Sequence, residues 1–460
     1  MRSPGRHPKK ILAITAVLLV LLGCIAARQR ELRNEQASST SRDKSASDKS
    51  AWDKKASDKP VRKPNADKHD WDKQAAAKYL DERMELWFSS AKKLRTSESQ
   101  TTCVSCHTTI PYVLARPALR RALHVVEPAA QEQRLLDETI RRVQSYDAHQ
   151  LLYDHTASKK TESRGTEAVL NALILASSDA AQKYISAAGP GMSSNVRAKD
   201  FVAVSFPSSL DRQERSAIIQ LAFKRLWETQ RADGAWDWLD FGLEPFETVD
   251  GTYYGATLAA LAAGIRIEAS KVAASKKDSA EATTGRERLR AYLKEKYVSQ
   301  SMFNRIWLLL ASTRLNDLLS SAQRASLITE IQGRQRDDGG WSLDSLGTWK
   351  WSKSTAPFRA PGTTDSPLLS QSDGYATGLI VYALRQAGLK SDQPAVNKGL
   401  QWLRTNQQDV QVDQHNWHAW RAYSLNFDRE HGGDKGEPWR RMFMSDSATA
   451  FAVLALISSE

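Results

Sequence analysis

Cysteine is scarce in this chain: only three occur among 460 residues. Cys24 lies in an apolar N-terminal segment, so Cys103 and Cys106 are the only cysteines left for the body of the protein. Both belong to one motif, Cys103–His107. A zinc site at this motif is disfavoured, because two thiolates and one imidazole leave the metal without a fourth ligand nearby.

Apolar residues are almost absent from residues 28–70. Asp-Lys recurs there every five residues, among serines and alanines, beginning at Asp43, Asp48, Asp53 and Asp58. A segment of this composition buries too little apolar surface to offset the conformational entropy that it would lose on ordering. We therefore predict a disordered linker rich in Ser, Asp and Lys.

Positive charge is unevenly distributed along the chain. The formal net charge is +12, and residues 1–70 contribute +8 of it, with 16 Lys and Arg against 8 Asp and Glu. The sequence pI of about 9.4 therefore describes mainly this N-terminal part, and it suits a position beside an anionic membrane surface. The sequence has no basic patch interleaved with aromatic residues, so we expect no nucleic acid among the partners.

Residues 1–27 have the pattern of an export signal. Basic residues near the start precede the apolar run Ile11–Leu22, which is the order of the charged and hydrophobic regions of a signal peptide. The Leu-Leu-Gly-Cys that ends at Cys24 resembles the lipobox of bacterial lipoproteins and predicts lipidation at that cysteine. The alternative is an uncleaved anchor, Ile11–Ala27, which is slightly short for a membrane-spanning helix. Both interpretations attach the body to the membrane on the extracytoplasmic, periplasmic side.

The motif Cys-Val-Ser-Cys-His at residues 103–107 has the spacing of a c-type haem attachment sequence. Two thiols can reach the haem vinyl groups, and the imidazole that follows can bind the iron. The sequence thus predicts haem c held by Cys103 and Cys106, with His107 as the proximal iron ligand and a redox protein as partner. The alternative is a Cys103–Cys106 disulfide, which an oxidising compartment permits. No compact cytochrome fold is recognisable around the motif.

The body of the chain is repetitive. Gln230–Trp236 and Gln335–Trp341 are two copies of one element, in which an amphipathic helix ends at the Gln, a Gly-turn follows, and a Trp starts a loop. A degraded third copy runs from Gln401 to Trp417. Each copy is followed by a segment that is apolar almost all round, such as Ala448–Leu454, and a helix without a polar face is buried on every side.

Each amphipathic helix and the apolar helix after it form one hairpin of a predicted all-α fold. Stacked repeats of this kind bury their apolar faces against one another, and we predict an α/α toroid over residues 71–460. Six hairpins are expected: 72–94 with 111–123, 132–143 with 163–177, 211–229 with 252–264, 286–297 with 303–312, 322–334 with 373–387, and 394–405 with 445–457.

The Gln-x-x-x-Gly-x-Trp element resembles the QW repeat of squalene-hopene and oxidosqualene cyclases. The hairpin pattern, over roughly residues 130–460, is similar to that of the terpenoid cyclase and protein prenyltransferase superfamily. The resemblance implies a structural role for the repeat, in which the Gln caps a helix and stacks on the Trp, and neighbouring outer helices are tied together. The residues concerned are Gln230, Trp236, Gln335 and Trp341.

The catalytic motifs of this superfamily are missing from the sequence. There is no Asp-x-Asp-Asp acid motif and no Cys-Gly-Glu-Gln thioester, and no cysteine remains for the zinc site of a prenyltransferase. The resemblance therefore implies a fold and not an activity.

The topology predicts where a site would lie. Each buried helix follows a loop, so the N-termini of these helices are expected to open at one mouth of the toroid, together with Cys103–His107. Capping of helix N-termini is the favoured interpretation of the carboxylates there, and a catalytic acid–base pair, as in glycosidases built on (α/α)6 barrels, is the weaker alternative. These carboxylates are Glu162, Asp250, Asp373 and Asp446.

Aromatic residues also gather at the predicted mouth. We expect at most two of them to contact a ligand, while the others pack against the repeat. They are Tyr253, Tyr254, Trp349, Trp351, Tyr375, Trp417 and Trp420. The insertion Leu343–Gln371 is either a lid over the mouth or a surface loop.

Three functions follow from these patterns. The leading one is a membrane-anchored toroid that carries haem for electron transfer or for redox chemistry on a hydrophobic, isoprenoid-like ligand at an apolar cavity. The second is a terpenoid cyclase-like enzyme that lacks the usual acid motif. The third is a non-catalytic ligand-binding or scaffold module in which the two cysteines form a disulfide.

Overall fold

The computed structural model describes residues 70–95, 100–148, 151–188, 210–272, 279–349, 371–412, 414–426 and 442–458. The predicted signal or anchor, Cys24 and the linker up to residue 69 lie outside these ranges, as do residues 350–370 of the insertion. The described residues belong to one compact unit, His69–Glu460. Within it, no described helix combines the length and the apolarity needed to cross a membrane.

Twelve α-helices occur in the described ranges, which confirms the predicted all-α class. In chain order they are α1 (Lys73–Ser90), α2 (Thr109–Ala122), α3 (Ala130–Gln144), α4 (Ala157–Ala188), α5 (Arg212–Glu228), α6 (Gly251–Val272), α7 (Ala280–Lys296), α8 (Met302–Ser312), α9 (Ser321–Gly333), α10 (Gly374–Gln386), α11 (Pro394–Thr405) and α12 (Phe443–Ile457). Two short antiparallel hairpins accompany them, β1 (Lys93–Arg95) with β2 (Gln100–Thr102), and β3 (Gln408–Val412) with β4 (His415–Ala419).

Capping side chains define where several helices begin. At α1, Asp72 Oδ1 accepts a hydrogen bond from Ala75 N (2.9 Å). At α5, Asp211 accepts from Glu214 N (2.8 Å) and the Glu214 carboxylate accepts from Asp211 N (2.8 Å). This reciprocal pair satisfies two backbone donors that the helix itself leaves unpaired.

The even-numbered helices are buried on nearly every side. Every residue of α10 from Gly374 to Leu384 is buried, as is every residue of α12 from Met444 to Leu456. Each even-numbered helix contacts the next one along the chain, and α12 also contacts α2. Close approach of α10 to α12 requires glycine at Gly378, because a Cβ there would lie 2.6 Å from Ala452 N.

The odd-numbered helices bury one face only. In α11, for example, the buried residues are spaced three or four apart, so that they form one stripe along the helix; they are Val396, Gly399, Leu400 and Leu403. Amphipathic and fully buried helices therefore alternate along the chain, as the hydrophobic pattern predicts.

A glutamine-anchored turn follows α5. Gln230 Nε2 donates to the carbonyl oxygens of Gly234 (2.9 Å) and of Gly285 in α7 (2.9 Å). Gly234 has a φ of +96°, a left-handed conformation that glycine adopts without steric cost. Trp236 is fully buried, and its Nε1 donates to Leu226 O (2.8 Å). The turn thus connects two odd-numbered helices.

A second turn of the same construction follows α9. Gln335 Nε2 donates to Gly339 O (2.8 Å) and to Ala395 O in α11 (2.8 Å). Gly339 has a φ of +89°. The buried Trp341 donates from Nε1 to Ile331 O (2.9 Å). The repeat in the sequence is therefore a repeat of hydrogen bonds that join one odd-numbered helix to the next.

The prediction that the third copy ends at Trp417 is wrong. Trp417 lies in β4, and its Nε1 donates to Glu82 Oε2 (2.7 Å). Trp420 is instead fully buried and donates from Nε1 to Leu403 O (2.8 Å), as the repeat tryptophans do. The β3–β4 hairpin adds residues between α11 and Trp420. Because of this insertion, the sequence comparison aligned Trp417 with the repeat tryptophans in place of Trp420.

Candidate functional site

The motif Cys103–His107 connects β2 to α2 and is held from both ends. Two α3 side chains hold the preceding residue: Glu138 Oε2 accepts from Thr102 N (2.5 Å) and Arg142 donates to Thr102 O (2.8 Å). Within the motif, Ser105 Oγ accepts from the backbone N–H groups of two residues at the start of α2 (3.2 and 3.1 Å). The motif is thereby fixed at the N-terminus of a buried helix.

The imidazole of His107 belongs to a chain of hydrogen bonds. His107 Nδ1 lies 2.9 Å from Thr108 Oγ1, which donates to Asp446 Oδ2 (2.6 Å). Because a carboxylate only accepts, the Thr108 hydroxyl gives its single hydrogen to Asp446 and must accept from His107. The proton of the neutral ring is therefore assigned to Nδ1 and its lone pair to Nε2, the arrangement of an imidazole that takes up a proton or binds a metal through Nε2.

Asp446 is part of a buried ion pair. The side chains of Asp446 and Arg83 are each 2% exposed, and Arg83 Nε lies 2.7 Å from Asp446 Oδ1. The hydroxyl of Tyr79, one turn earlier on α1, donates to the same oxygen (2.8 Å). The expectation that Asp446 caps its helix is wrong, because the carboxylate binds side chains of α1 instead.

The faces of the His107 ring meet aromatic side chains of α1 and α12. Phe443 stacks on it with ring centroids 3.7 Å apart and an interplanar angle of 19°. Trp87 meets it edge-on at 5.2 Å, and Trp87 Nε1 donates to Cys103 O (2.7 Å). His107 therefore lies toward the junction of the first and last helices.

The thiol of Cys106 has different surroundings. Cys106 is 4% exposed and is not joined to Cys103 by a disulfide. Burial raises the pKa of the Cys106 thiol well above its usual value. Burial raises the pKa of Tyr254 in α6 and of Tyr375 in α10. A thiolate at Cys106 would raise both pKa values further. Cys106 is thus packed in the buried core, whereas the ring of His107 contacts Trp87 of α1 and Phe443 of α12.

Cys103 faces a third environment. Burial raises the pKa of its thiol to about 12, against the opposing effect of Arg142. Beside it lies a small cavity of about 40 Å³, whose walls include Leu151, Tyr153 and Leu170. Ligand pockets in proteins are typically about 300–1,000 Å³, so this cavity does not hold a macrocycle.

The three residues of the predicted haem site do not fit a covalently attached haem in this geometry. Attachment requires both sulfurs and the histidine nitrogen to reach one macrocycle. Cys103 borders the cavity of about 40 Å³, and Cys106 is packed in the core, so a macrocycle could reach both sulfurs only if the surrounding side chains moved apart.

We expect the exported chain to carry no covalent haem. The measurement is an absorbance spectrum of denatured protein purified from a host with haem c maturation machinery, beside a Cys103→Ala/Cys106→Ala double variant. The expected spectra of the two proteins are alike and lack a Soret band. A Soret band that survives denaturation and disappears in the double variant would contradict this expectation.

A cluster of aromatic side chains lies where the buried helices face one another. Tyr254 of α6 meets Trp307 of α8 edge-on, with ring centroids 5.1 Å apart. Phe303 of α8 lies 5.9 Å from Tyr254 and 6.2 Å from Tyr375. Phe246, from the loop before α6, contacts Tyr254, Phe303 and Tyr375 at 5.5, 5.9 and 6.0 Å. The cluster therefore joins α6, α8 and α10 beneath a loop residue.

Three buried polar atoms lie in this aromatic cluster: the hydroxyls of Tyr254 and Tyr375 and the indole Nε1 of Trp307. The indole N–H of Trp307 interacts with the Tyr375 oxygen, so the hydroxyl hydrogens of Tyr254 and Tyr375 are the donors without an acceptor in the described residues. A buried hydroxyl or indole N–H normally has a partner. Leaving one without a partner costs about 1–3 kcal/mol. Together with the Cys106 thiol, these donors are the polar groups of an otherwise apolar interior.

The other predicted aromatic residues have structural contacts. Tyr253 is buried beside Tyr254, but its hydroxyl donates to Leu293 O (2.9 Å). Trp349 contacts Phe303 at the edge of the cluster, with ring centroids 6.1 Å apart. Trp351 lies outside the described residues. Phe246, Phe303 and Trp307 were not identified from the sequence; the spacing of Phe303 and Trp307, four residues apart on a buried helix, was the signal available.

The remaining predicted carboxylates have local roles. Asp373 caps α10, accepting from Tyr375 N and Ala376 N (both 2.9 Å), and burial raises its pKa to about 6. Burial acts to raise the pKa of Glu162. Hydrogen bonds from Lys159 and Ser158 outweigh that effect, so the pKa is lowered. Asp250 is exposed at the start of α6.

Comparison with known proteins gives no match, either to a family model or to a curated protein. Across the described ranges, no group of three or more His, Cys, Asp or Glu side chains is arranged to hold a metal ion.

Proposed function

We propose that this protein is an α/α toroid that binds a hydrophobic, isoprenoid-like molecule among the aromatic side chains inside its inner ring. The even-numbered helices form that ring in this proposal, and the odd-numbered helices surround it. Two observations favour the arrangement: each even-numbered helix contacts the next, and α12 contacts α2, which closes the cycle.

The observation that carries the ligand proposal is the set of buried donors without partners. The hydroxyl hydrogens of Tyr254 and Tyr375 lie in an aromatic environment without an acceptor in the described residues. An apolar site with a few converging polar groups is the usual form of a small-molecule site. Both hydroxyls can donate, so the ligand is expected to carry an oxygen acceptor, such as a hydroxyl or carbonyl oxygen, on a hydrocarbon skeleton.

Entry of a ligand requires the loop before α6 to move. Phe246 covers the aromatic cluster, and the neighbouring Glu244 exchanges two hydrogen bonds with Asn426, one through its N–H (2.8 Å) and one through its carbonyl oxygen (2.6 Å). These contacts join the loop to the segment that follows β4. Opening the loop also withdraws Phe246 from its aromatic contacts and breaks the hydrogen bond from Trp238 Nε1 to Phe246 O (2.9 Å), and the burial of a long hydrocarbon must offset both costs.

The cyclase-like alternative has less support. A cyclase of this superfamily needs an acid that protonates its substrate, and Asp373 is the buried carboxyl beside Tyr375. Both of its oxygens already accept backbone hydrogen bonds: Oδ1 from the first turn of α10 and Oδ2 from Leu343 N (2.6 Å). Asp373 therefore holds the helix start, and we propose binding without assigning an acid catalyst.

Removing a partnerless hydroxyl is expected to have opposite effects on stability and on binding. Tyr254→Phe should leave the ligand-free protein as stable as the wild type or more stable, because an unsatisfied buried group is removed. The same variant should bind farnesol about tenfold more weakly, because it loses a hydrogen bond to the ligand. Thermal unfolding with and without farnesol measures both effects.

Tyr253→Phe is the matched control. Its hydroxyl is equally buried but already donates to Leu293 O, so this variant should lose about 1 kcal/mol of stability and keep its affinity for farnesol. The purified wild type should also release an isoprenoid into organic solvent, identified by mass spectrometry. No released lipid and no stabilisation by farnesol would overturn the proposed function.

A further inference from the structure

A second cavity lies between α5, the C-terminal half of α6 and the start of α7. Its volume is about 880 Å³, which lies within the range of about 300–1,000 Å³ that is typical of ligand sites. None of its lining residues belongs to the Cys103–His107 motif or to the aromatic cluster. It is therefore a separate site, and its ligand need not be that of the toroid interior.

The inner wall of this cavity is apolar. Leu221 and Trp227 of α5 and Ala263 and Ile267 of α6 contribute to it. Trp227 packs flat against α7 because residue 285 is glycine: a Cβ on Gly285 would lie 2.5 Å from the indole ring. A wall of this kind accommodates a hydrocarbon chain and gains free energy from its burial.

The rim of the cavity is basic. Lys224, Arg266, Arg286 and Arg288 line it, against the carboxylates of Glu228 and Glu281. Lys224 is paired with Glu228 (3.6 Å), and Arg266 with Asp179 (3.3 Å). The guanidinium of Arg288 is different, because its Nε is buried and has no hydrogen-bond partner in the described residues.

The start of α7 also lines the cavity, where the Glu281 carboxylate of its first turn accepts one backbone N–H. Ser279, the N-cap of α7, and the first residues of the helix line the same cavity. A helix N-terminus carries a partial positive charge and favours a nearby anion. Arginine side chains bind carboxylates and phosphates through paired N–H donors. A basic rim above an apolar wall therefore has the complementary chemistry of an anionic amphiphile.

We infer that this cavity binds a single-chain amphiphile with an anionic head group. The hydrocarbon chain lies along the wall formed by α5 and α6, and the head group lies between Arg288, Arg286 and the start of α7. A carboxylate or a phosphate would satisfy the buried Nε of Arg288, and the experiment separates the two.

The test uses the full-length chain in nanodiscs of zwitterionic lipid, with a fluorescent long-chain carboxylate as the probe. A long-chain carboxylate and a long-chain alkyl phosphate are titrated as competitors, and whichever displaces the probe at lower concentration identifies the head group. A long-chain alcohol should compete about tenfold more weakly or worse, because it lacks the charge. Inorganic phosphate alone should not compete, because it lacks the chain.

Variants assign the binding to this cavity. Arg288→Ala should weaken probe binding about tenfold, and Leu221→Trp should weaken it by filling the cavity. Arg290→Ala is the matched control: Arg290 is on the same helix, outside the lining, and donates to Asn316 O (3.1 Å). Tyr254→Phe should also leave probe binding unchanged, which separates this site from the toroid interior.

Several results would overturn the inference. They are equal competition by the alcohol, competition by inorganic phosphate alone, equal weakening by Arg288→Ala and Arg290→Ala, and absence of probe binding to the wild type.

Discussion

Replacing Asp446 with alanine is expected to destabilise the protein by about 3–5 kcal/mol, because it leaves the guanidinium of Arg83 buried without its counter-charge. Both side chains are 2% exposed, and their closest N–O distance is 2.7 Å. Tyr79 and Thr108 lose their acceptor at the same time. The measurement is the free energy of unfolding in urea at neutral pH.

A double variant that lacks both charges separates the effect of the unpaired buried charge from the rest of the loss. Arg83→Met combined with Asp446→Leu removes both charges, so the double variant should be more stable than Asp446→Ala alone. Lys78→Ala is a control on the same helix, since Lys78 is 65% exposed and pairs only with Glu82 at 3.9 Å; it should cost less than about 1 kcal/mol. A loss below 1 kcal/mol for Asp446→Ala would refute the argument.

The buried pair also explains how the ends of the described chain are held together. Arg83 is on α1, Thr108 directly precedes α2, and Asp446 is on α12. A single carboxylate therefore receives hydrogen bonds from the first two helical segments while it belongs to the last. In the proposed toroid, this is the seam at which the ring closes, and its loss should loosen the position of His107 as well.

The helices were predictable from the sequence because their signals are local. The apolar period of 3.6 residues and the polar or glycine residues at the ends define each helix by itself. The expected range 373–387 corresponds to α10 at Gly374–Gln386, and 445–457 to α12 at Phe443–Ile457. The hairpins β1–β2 and β3–β4 were missed because strands of three to five residues carry too short a pattern.

The roles of the carboxylates were less predictable, because position in a helix does not fix a partner. Asp373 and Asp446 both lie near the start of a buried helix, and the sequence suggests capping for both. Asp373 does cap α10, but Asp446 binds Arg83, 363 residues away in the chain. Only the packing of α12 against α1 distinguishes the two.

The Cys103–His107 motif does not fix its ligand, for a similar reason. Its spacing describes which residues can meet on one ligand, and it does not describe which way each side chain points. The ring of His107 stacks on Phe443 of α12, and Cys103 borders a small cavity. The spacing of the motif predicts neither contact.

Trp341→Ala is the second substitution with a large expected effect, and we expect a loss of about 3–5 kcal/mol. The indole is fully buried, so its removal leaves a cavity that its neighbours cannot fill. The Nε1 donor to Ile331 O (2.9 Å) is lost as well. Urea unfolding of the variant measures the loss, with Trp402→Ala as the control, because the indole of Trp402 is bonded to Asp338 near the surface (3.2 Å).

Trp236→Ala tests whether the repeat is one structural device used more than once. Trp236 is as buried as Trp341 and donates to the equivalent carbonyl of its own helix, Leu226 O, at 2.8 Å. The two single substitutions should therefore cost similar amounts. If the helices form one cooperative ring, either loss should lower a single unfolding transition. Two transitions, of which only one moves in each variant, would show instead that the two halves of the helical array unfold separately.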